Sequence, residues 1–189
     1  IYDWSALRRR HYRWWVERLR RTFSLFDLAR IDHFRGFAAY WAVPRGARDA
    51  SGGRWIRGPG RAVFDAARAS LRRLPLIAED LGVITPAVTR MRESLGLPGM
   101  AVLQFGFDLE HPESVHNAEN IRADRVLYTG THDNDTLRGW LSTLDPQRAA
   151  AVRAAGIGGR EPWWSLMELA LGSRARLCML QAQDVLGLQ

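Results

Sequence analysis

Short apolar runs that end in charged or amide residues recur along this chain, and a helical pattern separates each from the next. Residues 25–32 end in Arg30 and Asp32, with His33 following. Leu76–Ala78 runs into Glu79 and Asp80, and residues 101–107 carry Gln104. Arg125–Tyr128 opens onto His132 and Asp133, and residues 176–181 lead to Gln183 and Asp184. Strands alternating with helices predict a parallel sheet, and strands this short and apolar predict one covered on both faces. Polar groups gathered at the C-terminal ends of successive strands mark the active-site face of an α/β barrel. About five strand–helix units are legible, too few to close an eight-stranded barrel. The expected fold class is therefore α/β, a partial (β/α)8 TIM barrel.

The helical segments carry the usual punctuation. Residues 3–23 repeat Leu7, Trp14, Trp15, Leu19 and Phe23 on one face, with arginines on the other and Asp3 as N-cap. Further helices are expected over 62–74, 85–95, 136–144, 146–155 and Pro162–Leu171. Thr85 with Pro86 reads as a helix start, and Asn134 or Asp135 as a cap before Thr136. Residues 37–60, with Gly52-Gly53 and Pro59-Gly60, read as a loop-rich insertion. Gly52-Gly53 lacks the strand–glycine–helix setting of a phosphate loop.

Composition narrows the function classes. No run approaches the roughly 18 to 20 apolar residues of a membrane helix, so no membrane partner is expected. Cys178 is the sole cysteine, which fits a reducing compartment and leads us to expect a cytoplasmic protein. Its apolar neighbours favour a buried thiol over a reactive one. The chain opens on Ile1 without a methionine, and we read it as a piece of a longer protein. The net charge of +7 invites a nucleic-acid reading, yet all 27 basic residues are arginine and they spread over several helices. No nucleic-acid partner is expected. Oligomeric state is not legible.

Three carboxylates stand at the ends of separate strands: Asp32, Glu79 and Asp133. Two carboxylates facing each other across a bond are what glycoside chemistry requires, one attacking the anomeric carbon and one protonating the leaving oxygen. Residues i and i+2 of a strand share a face, so Arg30 should lie beside Asp32 and complement the anion that a nucleophile needs to be. Glu79 must be able to carry a proton near neutral pH. The alternative is that these carboxylates are loop caps or salt-bridge partners. His33 and His132 offer no tight metal spacing, and one cysteine cannot build a zinc site, so neither metal nor cofactor is expected. His132, adjacent to Asp133, suits hydrogen bonding to sugar hydroxyls. Tyr40, Trp41 and Trp55 could stack on sugar rings or pack the insertion. His11 and His111 read as surface residues.

The ordered set Y-D-W, R-W-W-x-E-R-L-R, R-I-D-H-F-R-G, I-A-E-D-L-G, V-L-Q-F-G-F and T-G-T-H-D-N-D-T resembles the amylomaltases. These are 4-α-glucanotransferases (EC 2.4.1.25) of glycoside hydrolase family 77 in the α-amylase superfamily. The resemblance runs over residues 2–188 and implies the C-terminal portion of the catalytic barrel, about strands four to eight. It implies Asp32 as nucleophile, Glu79 as general acid/base, and Asp133 as the carboxylate that grips the donor sugar and stabilises its distortion. Arg30 and His132 match supporting residues, and His33, Tyr40 and Trp41 join them as candidate sugar contacts. The implied partners are maltooligosaccharides and other α-1,4-glucans, with glucose as an acceptor. The rivals are an α-glucan hydrolase of the α-amylase type, an arginine-rich nucleic-acid-binding module, and a non-catalytic glucan-binding fragment; on the leading reading the isolated segment is expected to be inactive.

Overall fold

A polar loop can be held in place only by elements that bury something else, and here two separate cores do that. The computed structural model describes all of residues 1–189, which divide into two compact units, Ile1–Gly99 and Met100–Gln189.

In the first unit, α1 (Trp4–Arg9) and α2 (Arg13–Phe23) precede β1 (Ala29–Ile31). Asp3 caps α1 as expected, accepting from the Ala6 N–H at 2.8 Å. The single helix expected over 3–23 is broken, because His11 and Tyr12 adopt φ values of 51° and 54°. Left-handed residues cannot continue a right-handed helix. The strand expected over 25–32 shrinks to Ala29–Ile31, since the Leu25 and Phe26 N–H groups bond back to the Thr22 carbonyl and finish α2 instead.

A 3-10 turn, Phe34–Phe37, then leads into an antiparallel hairpin of β2 (Ala39–Ala42) and β3 (Arg54–Arg57). The insertion over 37–60 is thus ordered around a ladder rather than loop throughout. Next come α3 (Ala62–Leu71), shorter than the expected 62–74, β4 (Leu76–Ala78) and α4 (Pro86–Ser94). Thr85 stands at the N-cap of α4 but makes no side-chain cap bond; Pro86 opens the helix as expected. β1 pairs with β4 in parallel, with Ala29 opposite Leu76 and Ile31 opposite Ala78. Phe34, Phe64 and Val63 are fully buried beneath this pair, and the Phe37 and Phe64 rings meet at 4.7 Å. Each such aromatic burial contributes about 1.5–3 kcal/mol. They form the floor under the end of β1.

β5 (Gly99–Val102), β6 (Arg125–Tyr128) and β7 (Leu177–Met179) form a sheet in the order β5-β6-β7, with β6 and β7 parallel, and all of it but Gly99 belongs to the second unit. The strand expected over 101–107 gives way after Val102 to a 3-10 turn, Leu103–Gly106. Gly106 presses against the His116 carbonyl, where any Cβ would collide. The strand expected over 176–181 is likewise cut to Leu177–Met179. Helices α5 (Leu137–Ser142), α6 (Pro146–Ala154) and α7 (Pro162–Leu171) follow the sequence reading, α5 and α6 with shorter C-terminal ends, and a further short helix, α8 (Ala182–Val185), is added. Thr136 itself caps α5, accepting from Gly139 N–H at 3.1 Å, so the cap expected at Asn134 or Asp135 falls one or two residues later. Leu127, Leu137, Leu166 and Met167 fill this core.

β1 pairs only with β4, and β7 only with β6, so each leaves one edge open. No helix is long and apolar enough to cross a membrane.

Candidate active site

Asp32 and Glu79 are brought together by the β1–β4 pair. The ladder continues past the strand ends: Glu79 N–H donates to the Ile31 carbonyl, and Phe34 N–H donates to the Glu79 carbonyl, both at 3.0 Å. Asp32 and His33 are therefore held between two backbone bonds to one residue. Glu79's side chain closes the arrangement. One oxygen accepts from His33 N–H at 2.6 Å and the other from Leu81 N–H at 2.8 Å. His33 reaches this position with φ 48°, a left-handed conformation that histidine, like Asn and Asp, adopts more readily than most residues, and its ring packs over Gly36.

Arg30 and Asp32 share a face as the period of two requires, with Arg30 Nη2 donating to Asp32 Oδ1 at 2.8 Å. The Asp32 side chain is 74% exposed, against 24% for Arg30. Its carboxylate is held by a half-buried guanidinium and stays open to an incoming molecule.

A cavity of about 650 Å³ adjoins Asp32, lined among others by Arg30, His33, Tyr40, Trp41 and Trp55; Glu79 is not in its lining. Trp41 and Trp55 face each other in the hairpin register with ring centroids 5.4 Å apart. Trp41 also packs the hairpin: its indole N–H donates to the Ala50 carbonyl, and its ring occupies the space where a Cβ on residue 53 would sit, which Gly53 leaves free. Arg35 lies 4.2 Å over the Trp55 ring. Of the two roles open for these aromatics from sequence, packing of the insertion is the one these contacts serve.

In the second unit, His132 and Asp133 sit on the loop after β6 with their side chains 69% and 82% exposed. His132 Nε2 lies 3.4 Å from Asp133 Oδ2. The loop beneath them is tied down throughout. Thr131 N–H and Oγ1 both bond Asn134 Oδ1, Gln181 Nε2 donates to the Thr131 carbonyl, and Gln104 Nε2 donates to the Asp135 carbonyl, all within 2.8–2.9 Å.

Not every polar strand end faces outward. Asp80, Gln104 and Asp184 are buried, at 6%, 5% and 1% exposure. Asp80 meets the equally buried Arg92 at 3.3 Å, Gln104 holds the Asp135 carbonyl, and Asp184 bonds Thr129 and Leu137. These tethers were legible only as polar residues in the right place. His116, which the sequence reading passed over, accepts from Val102 N–H through Nδ1 at 3.1 Å. Burial, aided by Arg125, pushes its pKa down to about 4, so it serves as a neutral acceptor. His11 is exposed, and His111 lies at the surface beside Glu113. Cys178 is half-buried rather than buried, and that partial burial raises its thiol above the ordinary pKa.

Several arginines that suggested a phosphate-binding surface have partners inside the protein: Arg61 with Asp65, Arg68 with the Leu95 carbonyl, Arg125 with the Met100 carbonyl. No group of three or more His, Cys, Asp or Glu side chains is arranged to hold a metal ion.

The family model described as 4-alpha-glucanotransferase, glycoside hydrolase 77, matches residues 1–189. A chloroplastic/amyloplastic 4-alpha-glucanotransferase of Arabidopsis thaliana is 47% identical over 192 residues, covering 100% of this chain and 33% of the relative. The 4-alpha-glucanotransferase of Thermus thermophilus is 45% identical over 197 residues, covering 100% of this chain and 39% of the relative. Among solved structures, an amylomaltase from Streptococcus agalactiae in complex with acarbose superposes with a TM-score of 0.94 at 28% identity, over 100% of this chain and 38% of that one. The chain thus spans about a third of the length of these relatives.

Proposed function

The chain belongs to the 4-alpha-glucanotransferase family, glycoside hydrolase 77, and from that premise we propose that it carries the catalytic carboxylates of a retaining α-1,4-glucan transferase built on a (β/α)8 barrel. The observation that carries the reading is the backbone and side-chain lock between Glu79 and the Asp32–His33 turn. Two carboxylates on neighbouring parallel strands, one open and one oriented, support a double displacement, which uses such a pair about 5–5.5 Å apart across the scissile bond.

In the first step the Asp32 carboxylate attacks the anomeric carbon of a bound glucan. The glycosidic C–O bond breaks, and its oxygen takes the proton from Glu79. In the second step Glu79 removes the proton from the 4-hydroxyl of an incoming glucan or glucose. That oxygen attacks the same carbon and releases Asp32. Arg30 balances the Asp32 charge as it is lost and regained. Asp133 and His132 grip the donor's hydroxyls from the loop after β6, and Tyr40 and Trp41, with His33, contact sugar from the cavity beside Asp32. That a relative binds acarbose supports a site for oligosaccharides in this family. The reaction needs no cofactor, and the lone cysteine supports a cytoplasmic setting.

The test is to incubate the full-length protein encoded with this segment with maltotriose. Glucose accompanied by maltooligosaccharides longer than the substrate is the expected product pattern. Glucose and maltose alone would make it a hydrolase, and an unchanged substrate would reject catalysis on α-1,4-glucans.

A further inference from the structure

We infer that Asp184 is a positioning residue that holds the His132–Asp133 loop by both of its ends. The inference rests on the role proposed for Asp133 but is drawn from different contacts.

Asp184 stands on α8, outside the loop, and is 1% exposed. One carboxylate oxygen accepts from Thr129 Oγ1 and the other from Leu137 N–H, each at 2.7 Å. Thr129 closes β6 and its N–H still belongs to the ladder, donating to the Met179 carbonyl at 3.1 Å. Leu137 is the first residue of α5. One buried group therefore pins the entrance and the exit of the segment from which Asp133 projects. Between these pins, Gln181 and Gln104 hold the Thr131 and Asp135 carbonyls. The backbone under Asp133 is fixed from four sides, while its side chain stays exposed beside His132.

A carboxylate suits this task better than its substitutes. Both donors present hydrogens, and a carboxylate is acceptor-only, so each oxygen satisfies one. Both of these donors are neutral, a hydroxyl and a backbone amide, and the group they meet is removed from water. That is a costly choice for a core, where apolar residues of similar volume hold packing as well or better. The return is geometric. A misplacement of roughly 1 Å in a group that grips the transition state costs on the order of a hundredfold in rate.

The experiment uses the full-length protein and begins with Thr129→Val, which replaces the hydroxyl by a methyl and takes the donor from one Asp184 oxygen. Its kcat for maltotriose disproportionation is expected to fall by about ten- to a hundredfold with KM little changed, the pattern of a lost transition-state interaction. Rates are taken well below the melting temperature, so a loss of stability alone would leave kcat intact. Amide hydrogen exchange across 131–136, measured without substrate, is expected to speed up. Asp184→Asn is expected to recover most of the rate that Asp184→Ala loses. The amide oxygen can accept from Leu137 while its NH2 donates to the Thr129 hydroxyl, which reverses its role. Unchanged kcat and unchanged exchange in Thr129→Val would overturn the inference. A wild-type protein inert toward maltotriose would instead reject the activity, and the exchange measurement would still judge the tether.

Discussion

The backbone N–H of His33 donates to the side-chain carboxylate of Glu79 at 2.6 Å. The residue directly after Asp32 is thereby bonded to the group proposed to work opposite Asp32. Sliding β4 against β1 would break this bond and the two backbone bonds beside it, so three hydrogen bonds set Glu79 against the Asp32–His33 turn.

That coupling sets the first expectation. In the full-length protein, Asp32→Asn should cut glucan transfer by several orders of magnitude while leaving oligosaccharide affinity in place. Glu79→Gln should be as damaging on natural glucans, yet much less so for the first step on glucosyl fluoride, whose leaving group needs no proton. Stopped-flow or single-turnover rates on the two substrates check this. Equal losses on both would contradict the acid role.

Arg92 carries a different kind of burden. Its guanidinium is almost wholly buried, lies 3.3 Å from the equally buried Asp80, and donates to the Leu97 carbonyl at 2.9 Å. Arg92→Met should destabilise the fold by about 3–5 kcal/mol, because it removes one partner of a buried ion pair. Arg92→Met combined with Asp80→Leu should recover much of that loss. Denaturant midpoints for the single and double variants measure it.

Acidification should loosen the second unit through His116. Its folded pKa is about 4 against an ordinary 6.5, so between those values the unfolded chain takes up a proton that the folded chain refuses. Stability is full above pH 6.5, falls as pH drops through that window, and stops falling from this source below about 4. The cause is burial first and Arg125 second, and protonation would also turn Nδ1 from acceptor to donor against the Val102 N–H. Urea midpoints taken from pH 7 to 4 should show a steeper fall for the wild type than for His116→Gln.

Residues 1–189 produced alone should self-associate and show no transfer activity. β1 and β7 each leave an edge open, and Leu177 and Met179 on β7 are 36% and 44% exposed. Open apolar edges recruit other chains. Light scattering and a maltotriose assay on this segment test it. A monodisperse, cooperatively folding and active monomer would be the contrary result.

Sequence alone determined which residues stand where a strand stops. The i, i+2 relation of Arg30 and Asp32 follows from the pleat, and the 2.8 Å bond between them is that relation realised. Glu79 and Asp133 were equally legible, because an apolar run ending in a carboxylate is a local signal. Local signals could not say which way consecutive polar residues turn. Glu79 meets the Asp32–His33 turn while Asp80 goes inward to Arg92, and Asp133 faces solvent while Asp184 is buried against Thr129 and Leu137. Each outcome depends on a partner far along the chain. The hairpin of β2 and β3 was missed for the same reason: its short strands carry little periodicity, and only the register that sets Trp41 against Trp55 makes them a sheet. Tertiary structure decided these cases because a buried polar group goes where its donors or acceptors are, and their positions exist only once the chain has folded.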